Sequence, residues 1–211
     1  MMDPASFHTV SNQEHEVERY YRFHAPLYDA TRWSFLFGRA SLLDMIPVLP
    51  SEPQILEVGC GTGTTIERLE FYFPDARITG LDLSPDMLGK AGRRLRHSTQ
   101  VELKRGRYTS DSFDYNSFDL ILFSYSMTMF GPHIDAFFNH ILEDLKPNGY
   151  IAVVDFNTSP FPWFRRWMKF NHVQLDGHLL PLLKKYFHPA AINIKKAYLG
   201  LWTYFQFVGK P

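Results

Sequence analysis

The sequence predicts an α/β chain, a mainly parallel sheet with helices on both faces and an antiparallel hairpin at its C-terminal end. Three observations carry this. Short apolar runs alternate with longer amphipathic ones from Gln54 to Phe156, a glycine-rich turn joins the first apolar run to the first amphipathic stretch, and two strand-like runs close the sequence around Gly200.

The first fifty residues read as helical. Ser11 and Glu14 form a capping box, and Val17, Tyr20, Tyr21 and His24 recur at helical spacing until Pro26 ends the pattern. A second helix carries Phe35, Leu36, Leu42, Leu43, Met45 and Ile46 before the breaks at Pro47 to Pro53. Strands then follow at Ile55 to Val58, Ile78 to Leu83, Val101 to Leu103, Leu120 to Phe123 and Ile151 to Val154, with helices in the gaps. Right-handed crossovers between them make residues 54–156 one layered core. Past Asp155 the alternation stops. Pro160, Pro162, Trp163, Phe164, Arg165, Arg166 and Trp167 read as an aromatic and basic insertion, and a helix is expected from about His172 to Phe187. Together, residues 157–190 form a substrate-side segment. Ile192 to Ala197 and Leu201 to Val208 form the hairpin of residues 191–211.

Composition sets outer limits. A chain of 211 residues with 45% apolar and 16% aromatic content can bury one substantial core, so residues 1–211 read as a single domain. Lys plus Arg and Asp plus Glu each total 22, which leaves no long-range field and argues against a nucleic-acid partner. The only cysteine, Cys60, cannot form an intramolecular disulfide, and Met1-Met2-Asp3-Pro4 lacks a secretory pattern. A cytoplasmic setting is expected. The apolar stretches are interrupted well short of the roughly 20 residues needed to span a bilayer, so any membrane contact would be peripheral, on the inner face.

The chemistry concentrates in Ile55-Leu56-Glu57-Val58-Gly59-Cys60-Gly61-Thr62-Gly63. A buried strand runs into three glycines on alternate positions, and a helix through Ile66 and Leu69 follows. Glycine permits the tight turn and lets a ligand approach the backbone, and the following helix offers free amides at its start. A dinucleotide protein would place its third glycine at position 64, which is Thr64 here. About 20 residues on, the strand in Leu81-Asp82-Leu83-Ser84-Pro85-Asp86-Met87-Leu88 ends at an acid that can accept both hydroxyls of a ribose. Ser84 caps the next helix, with Pro85 at its first position. The residues alone leave a nicotinamide or flavin protein as the alternative. His172 and His178, six apart, do not resemble a metal pair, and no metal site is expected.

The G-x-G-x-G spacing after Glu57, with Asp82, resembles the first two motifs of class I methyltransferases dependent on S-adenosylmethionine. Ser117-Phe118-Asp119-Leu120-Ile121 and Leu145-Lys146-Pro147-Asn148-Gly149 resemble the entries to that family's fourth and fifth strands. This likeness covers about Gln54 to Phe156 and implies a Rossmann-like, seven-stranded sheet. It implies that Glu57, Gly59, Cys60, Gly61 and Gly63 face the methionine part of the cofactor, and that Leu83 and Met87 line adenine. Gly106, Arg107 and Ser124 would complete the site, although many relatives carry an acid where Gly106-Arg107-Tyr108 stands. The product would be S-adenosyl-L-homocysteine.

A narrower likeness rests on the segment from Tyr20 to Arg39 and on Asp176-Gly177-His178-Leu179-Leu180-Pro181. These resemble flanking segments of bacterial phospholipid N-methyltransferases, and more closely of diacylglyceryl-homoserine N-methyltransferase of betaine lipid synthesis. The resemblance implies that residues 11–50 form a lid in which Tyr21 and Tyr28 close over the cofactor. It implies a lipid or small amine as acceptor, methylated three times to a betaine lipid. Tyr20, Tyr21, Tyr28, Trp33, Phe35, Tyr125, Trp163 and Trp167 are candidates for an aromatic cage around an ammonium. Tyr28, Tyr125 and His178 are the candidate catalytic residues, the latter two as rival bases. Trp163, Phe164, Arg165, Arg166 and Trp167 combine interface-seeking aromatics with cations suited to lipid phosphate.

Overall fold

A computed structural model describes residues 36–129, 134–170 and 173–211. The expected first helix, with Tyr20, Tyr21, His24 and Tyr28, lies outside these residues, as do Trp33, Phe35 and His172. Seven strands form one sheet: β1 (Gln54–Val58), β2 (Arg77–Asp82), β3 (Val101–Arg105), β4 (Phe118–Ser124), β5 (Leu145–Phe156), β6 (His188–Ala197) and β7 (Trp202–Lys210). Their order is β3-β2-β1-β4-β5-β7-β6. The first five are parallel, and β7 enters antiparallel between β5 and β6. The alternation in the sequence predicts the mainly parallel sheet, and the Rossmann-like seven-stranded form is what the family resemblance implies.

Adjacent residues of the central strands are buried on opposite faces, which is why those strands read as continuous apolar runs. On one face, Ile55, Leu120, Leu122 and Trp202 join Leu42 of α1 (Arg39–Leu43), Ile66 and Leu69 of α2 (Thr64–Tyr72), and Ala91 of α3 (Pro85–Arg94). On the other, Leu56, Ile121, Phe123 and Phe205 meet Phe137, Phe138 and Ile141 of α4 (Ile134–Asp144). At the amino edge, buried Asp119 accepts from Gln54 N at 2.8 Å and from Lys146 Nζ at 2.7 Å. This bond pair spans the register jump between Phe118↔Leu145 and Leu120↔Tyr150, where residues 146–149 bulge from β5.

Two helix expectations need correction, and a third helix appears where none was expected. The second helix is only α1, because Gly38 at φ +81° starts it late and it is capped at Asp44. The aromatic and basic segment, for which the sequence reading gave no element, is helical at Pro162–Phe170 (α5), whose leading proline needs no N–H partner. It packs Phe164 and Met168 against the sheet. The helix expected from His172 to Phe187 shrinks to α6 (Leu179–Tyr186). Gly177 at φ +76° and the bridge between Thr158 and Asp176 hold the preceding residues in a turn instead.

Because β1 to β5 are parallel, Val58, Asp82, Arg105, Ser124 and Phe156 all end at one edge of the sheet. In such sheets that edge is where ligands bind. The turn between β6 and β7 reaches the same edge, since Phe156 pairs with Tyr204.

Candidate cofactor and acceptor site

The turn after β1 has three left-handed glycines with three different neighbours. Gly59, Gly61 and Gly63 have φ of +73°, +56° and +75°. A Cβ on Gly59 would stand 2.5 Å from Ser126 Cβ, so glycine lets the segment after β4 close in, and Ser126 Oγ donates to Val58 O at 2.7 Å. A Cβ on Gly63 would press Leu95 and Ala91 at 3.0 and 3.2 Å, so it seats α2 beside α3. A Cβ on Gly61 would meet nothing within 4 Å. The turn therefore packs at its two ends and opens at its middle.

Asp82 organises that open middle. One carboxylate oxygen accepts from Gly61 N at 2.8 Å and the other from Ser84 N at 2.9 Å. A carboxylate at this position, facing the open turn, is of the kind that can accept from the hydroxyls of a vicinal diol. The backbone around it is tied in as well: Gly59 N and Cys60 N donate to Leu81 O, and Gly106 N donates to Asp82 O. Ser84 Oγ accepts from Met87 N at 3.3 Å, the cap that the sequence predicts. Beside it, the apolar side chain of Leu83 is exposed.

Glu57 lies beneath the turn, 1% exposed, with Oε2 lacking a hydrogen-bond partner among the described residues. Burial lifts its carboxyl to about 8, against the pull of Arg39 and a hydrogen bond with Thr65 and with a further push from Asp82. Its half-titration in the slightly basic range leaves it mostly protonated at neutral pH. Arg39 reaches this neighbourhood because residues 36–43 are strapped to the sheet. Gln206 Nε2 donates to Gly38 O at 2.7 Å and Ser41 Oγ at 2.8 Å, and Tyr125 Oη donates to Phe37 O at 2.7 Å. A cavity of about 390 Å³ opens between this strap and α2, lined by Gly38, Arg39, Ser41, Thr64 and Arg68 among others.

The segment after β4 is held by an acid that the sequence reading missed. Asp155, fully buried, accepts from Met127 N at 2.9 Å, Thr128 N at 3.1 Å and Phe156 N at 2.8 Å. Burial raises its carboxyl to about 6, opposed by those same donors, so it is ionised at neutral pH. The signal was present: like Asp82, it is an acid where a parallel strand ends. Ser124 Oγ, at the end of β4, is buried and lacks a partner among the described residues.

Residues 55–149 match the family model described as a methyltransferase domain. Over 112 residues the chain is 32% identical to a trans-aconitate 2-methyltransferase of Deinococcus radiodurans, a match covering 52% of this chain and 41% of that one. The match thus spans less than half the length of that relative. Among solved structures, the [4+2]-cyclase SpnF superposes with a TM-score of 0.75 at 18% identity, covering 93% of this chain and 96% of that one. A geranyl diphosphate C-methyltransferase from Streptomyces coelicolor A3(2), solved with Mg2+, geranyl diphosphate and S-adenosyl-L-homocysteine, gives 0.68 at 16% identity, covering 82% and 78%. These two speak for the fold alone, and one of them is named for a cyclisation.

The fold brings Glu57, Gly59, Gly61, Gly63, Asp82, Leu83, Gly106 and Ser124 to one sheet edge. Cys60 joins them through its backbone only, because its thiol is packed in the core and burial pushes its pKa up. Met87 is covered by protein, Arg107 is exposed, and Tyr108 turns inward to donate to Asp144 at 2.6 Å. Tyr125 is not placed as a base. It is buried beneath Phe156, its hydroxyl is given to Phe37 O, and burial pushes its pKa far up, so it positions the strap. Tyr21 and Tyr28 lie outside the described residues.

His178 stands at the same edge, beyond β5, where the Gly177 turn backs onto Asn157. Its Nδ1 pairs with Asp176 Oδ1. Burial pushes the Asp176 carboxyl up, but the bonds from the His178 ring and backbone N–H more than offset this and hold it below its usual range. A proton on Nδ1 leaves Nε2 as an acceptor. The open Gly61, the Asp82 carboxylate beside it, and Glu57 Oε2 and Ser124 Oγ, which lack hydrogen-bond partners among the described residues, suit a nucleoside carrying a polar amino-acid tail.

Proposed function

We propose that this chain is an S-adenosylmethionine-dependent N-methyltransferase acting on a lipid head-group amine. The observation that carries the cofactor assignment is the Asp82 carboxylate, which accepts from Gly61 N and Ser84 N and so sits beside the open glycine turn at the carboxyl edge of the sheet. When bound, S-adenosylmethionine supplies an electrophilic methyl group on a cationic sulfur. Asp82 would hold the ribose hydroxyls, Leu83 would flank the adenine, and Glu57 and Ser124 would meet the polar tail. His178 Nε2, oriented by Asp176, would take the proton of an ammonium acceptor and free its lone pair. Asp155 and Tyr125 fix the backbone around the transfer line, and alignment of this kind can supply roughly 7 to 11 kcal/mol.

The lipid acceptor is supported by α5, which carries Trp163 and Trp167 with Arg165 and Arg166 at the exposed surface. Diacylglyceryl-homoserine is the first acceptor to test, because the segment from Tyr20 to Arg39 resembles the enzyme of betaine lipid synthesis, and phosphatidylethanolamine is the second. The relative from Deinococcus radiodurans, named for trans-aconitate, supports a rival reading in which a soluble small molecule is methylated. Incubation with labelled cofactor and liposomes carrying either lipid, beside trans-aconitate and soluble amines, separates the readings. Label in a lipid amine is expected. Label confined to soluble compounds would reject the lipid acceptor, and intact S-adenosyl-L-homocysteine binding without any transfer would reject the enzyme.

A further inference from the structure

We infer that α5 and the tip of the β6–β7 hairpin form a single docking surface for an anionic lipid bilayer. The inference deepens the lipid reading above. At 3.6 residues per turn, Trp163, Trp167 and Phe170 form one exposed stripe on α5, next to the buried stripe of Phe164 and Met168. The apolar arc of α5 is thus wider than the sheet can cover, and Arg165, Arg166 and Lys169 fill the remainder. Trp163 is 63% exposed.

The hairpin tip adds a second element. Tyr198 and Leu199 have φ of +44° and +56°, and Leu199 is 109% exposed relative to a free residue. Left-handed backbone at non-glycine residues costs on the order of 1–2 kcal/mol each. The fold bears this strain while holding a leucine entirely in solvent, which burial in hydrocarbon would repay. Buried Trp202 joins the two elements, stacking on Phe164 at 5.6 Å and meeting Tyr198 at 5.0 Å. Ser159 Oγ donates to Leu201 O, tying the approach to α5 to the tip.

Charge selects the partner. The chain is neutral overall, but from Phe156 to Pro211 it has eight Lys and Arg residues and one acid, Asp176. Lys195 and Lys196 flank the tip, with the Lys196 stem 3.8 Å from the position of a Cβ on Gly200, while Arg166 and Lys169 flank the tryptophans. Apolar residues proud of a basic rim match a surface of anionic head groups over acyl chains. The tip also lies at the carboxyl edge of the sheet, so docking would bring the bilayer to the side where the acceptor enters.

Co-sedimentation with vesicles of phosphatidylcholine, and of equal parts phosphatidylcholine and phosphatidylglycerol, tests the surface on the full chain. The protein should partition into the mixed vesicles, less so at high salt, with a blue shift of tryptophan emission. Leu199→Asp should lower that partition about tenfold, and Arg166→Glu with Lys169→Glu should do so on the anionic vesicles. Both variants should bind S-adenosyl-L-homocysteine like the wild type by calorimetry. Failure of the wild type to bind either vesicle, or binding unaffected by Leu199→Asp, overturns the proposal. So does a dimer in sedimentation equilibrium that Leu199→Asp dissolves, which assigns the patch to a second copy of the chain. Vesicle binding without methylation of vesicle lipid would keep the docking surface and reject the lipid acceptor.

Discussion

Glu57→Gln should make the protein more stable and its cofactor site worse. The carboxyl titrates at 4.5 in the absence of the fold and at about 8 within it, chiefly through burial. A raised folded value means that the group's stabilising contribution is complete below 4.5 and is lost as pH rises through 8. Between these limits the unfolded chain has released a proton that the folded chain keeps, and each pH unit removes about 1.36 kcal/mol. At neutral pH the wild type has therefore lost about 3 kcal/mol from this one group. Glutamine has the same shape without the titration, so Glu57→Gln should recover most of that, less about 1 kcal/mol if its amide bonds Thr65 less well. Urea denaturation of both proteins at pH about 5 and about 8 reads the difference. The wild type should weaken over that interval by about 4 kcal/mol more than the variant. Parallel pH dependences would show that no carboxyl at Glu57 titrates so high, and the reasoning would fail. Calorimetry with S-adenosyl-L-homocysteine completes the test: weaker binding by the more stable variant is the expected exchange of stability for function.

Three further substitutions separate the roles of the site. Asp82→Ala removes the acceptor for Gly61 N, Ser84 N and the diol, so affinity for S-adenosyl-L-homocysteine should fall by about 100-fold; unchanged affinity would place the ribose elsewhere. Gly61→Ala, in open space, should cost the fold only about 1–2 kcal/mol in strain yet strongly impair binding, whereas Gly59→Ala, facing Ser126 at 2.5 Å, should lower the melting temperature much more. Tyr125→Phe should cost about 1 kcal/mol in thermal unfolding by releasing Phe37 O, and should leave the pH profile of any methyl transfer unshifted.

The parts of the site made from neighbours in sequence were legible. Strand, glycine turn and helix start form one run of residues, and Asp82 follows at the distance set by a single crossover. The hairpin was legible for the same reason, as its strands pair across Gly200. Parts that join distant residues were not. Nothing local links Tyr108 to Asp144 or Tyr125 to Phe37, 36 and 88 positions apart. The Asp155 clamp depends on β5 ending beside β4, which emerges only from the sheet order. The shortened α6 shows the opposite failure: Leu179, Leu180 and Leu183 continued a helical pattern, but Asp176-Gly177 was a turn signal that the periodicity outweighed.

The placement of β7 has a consequence for synthesis on the ribosome. The interior slot between β5 and β6 is filled by the strand made after both, so β6 has no neighbour to pair with while β7 is still inside the exit tunnel. Until then β5 presents a bare, apolar flank to solvent and to other nascent chains. Chaperone demand should therefore persist until residues 202–210 have emerged and slotted home.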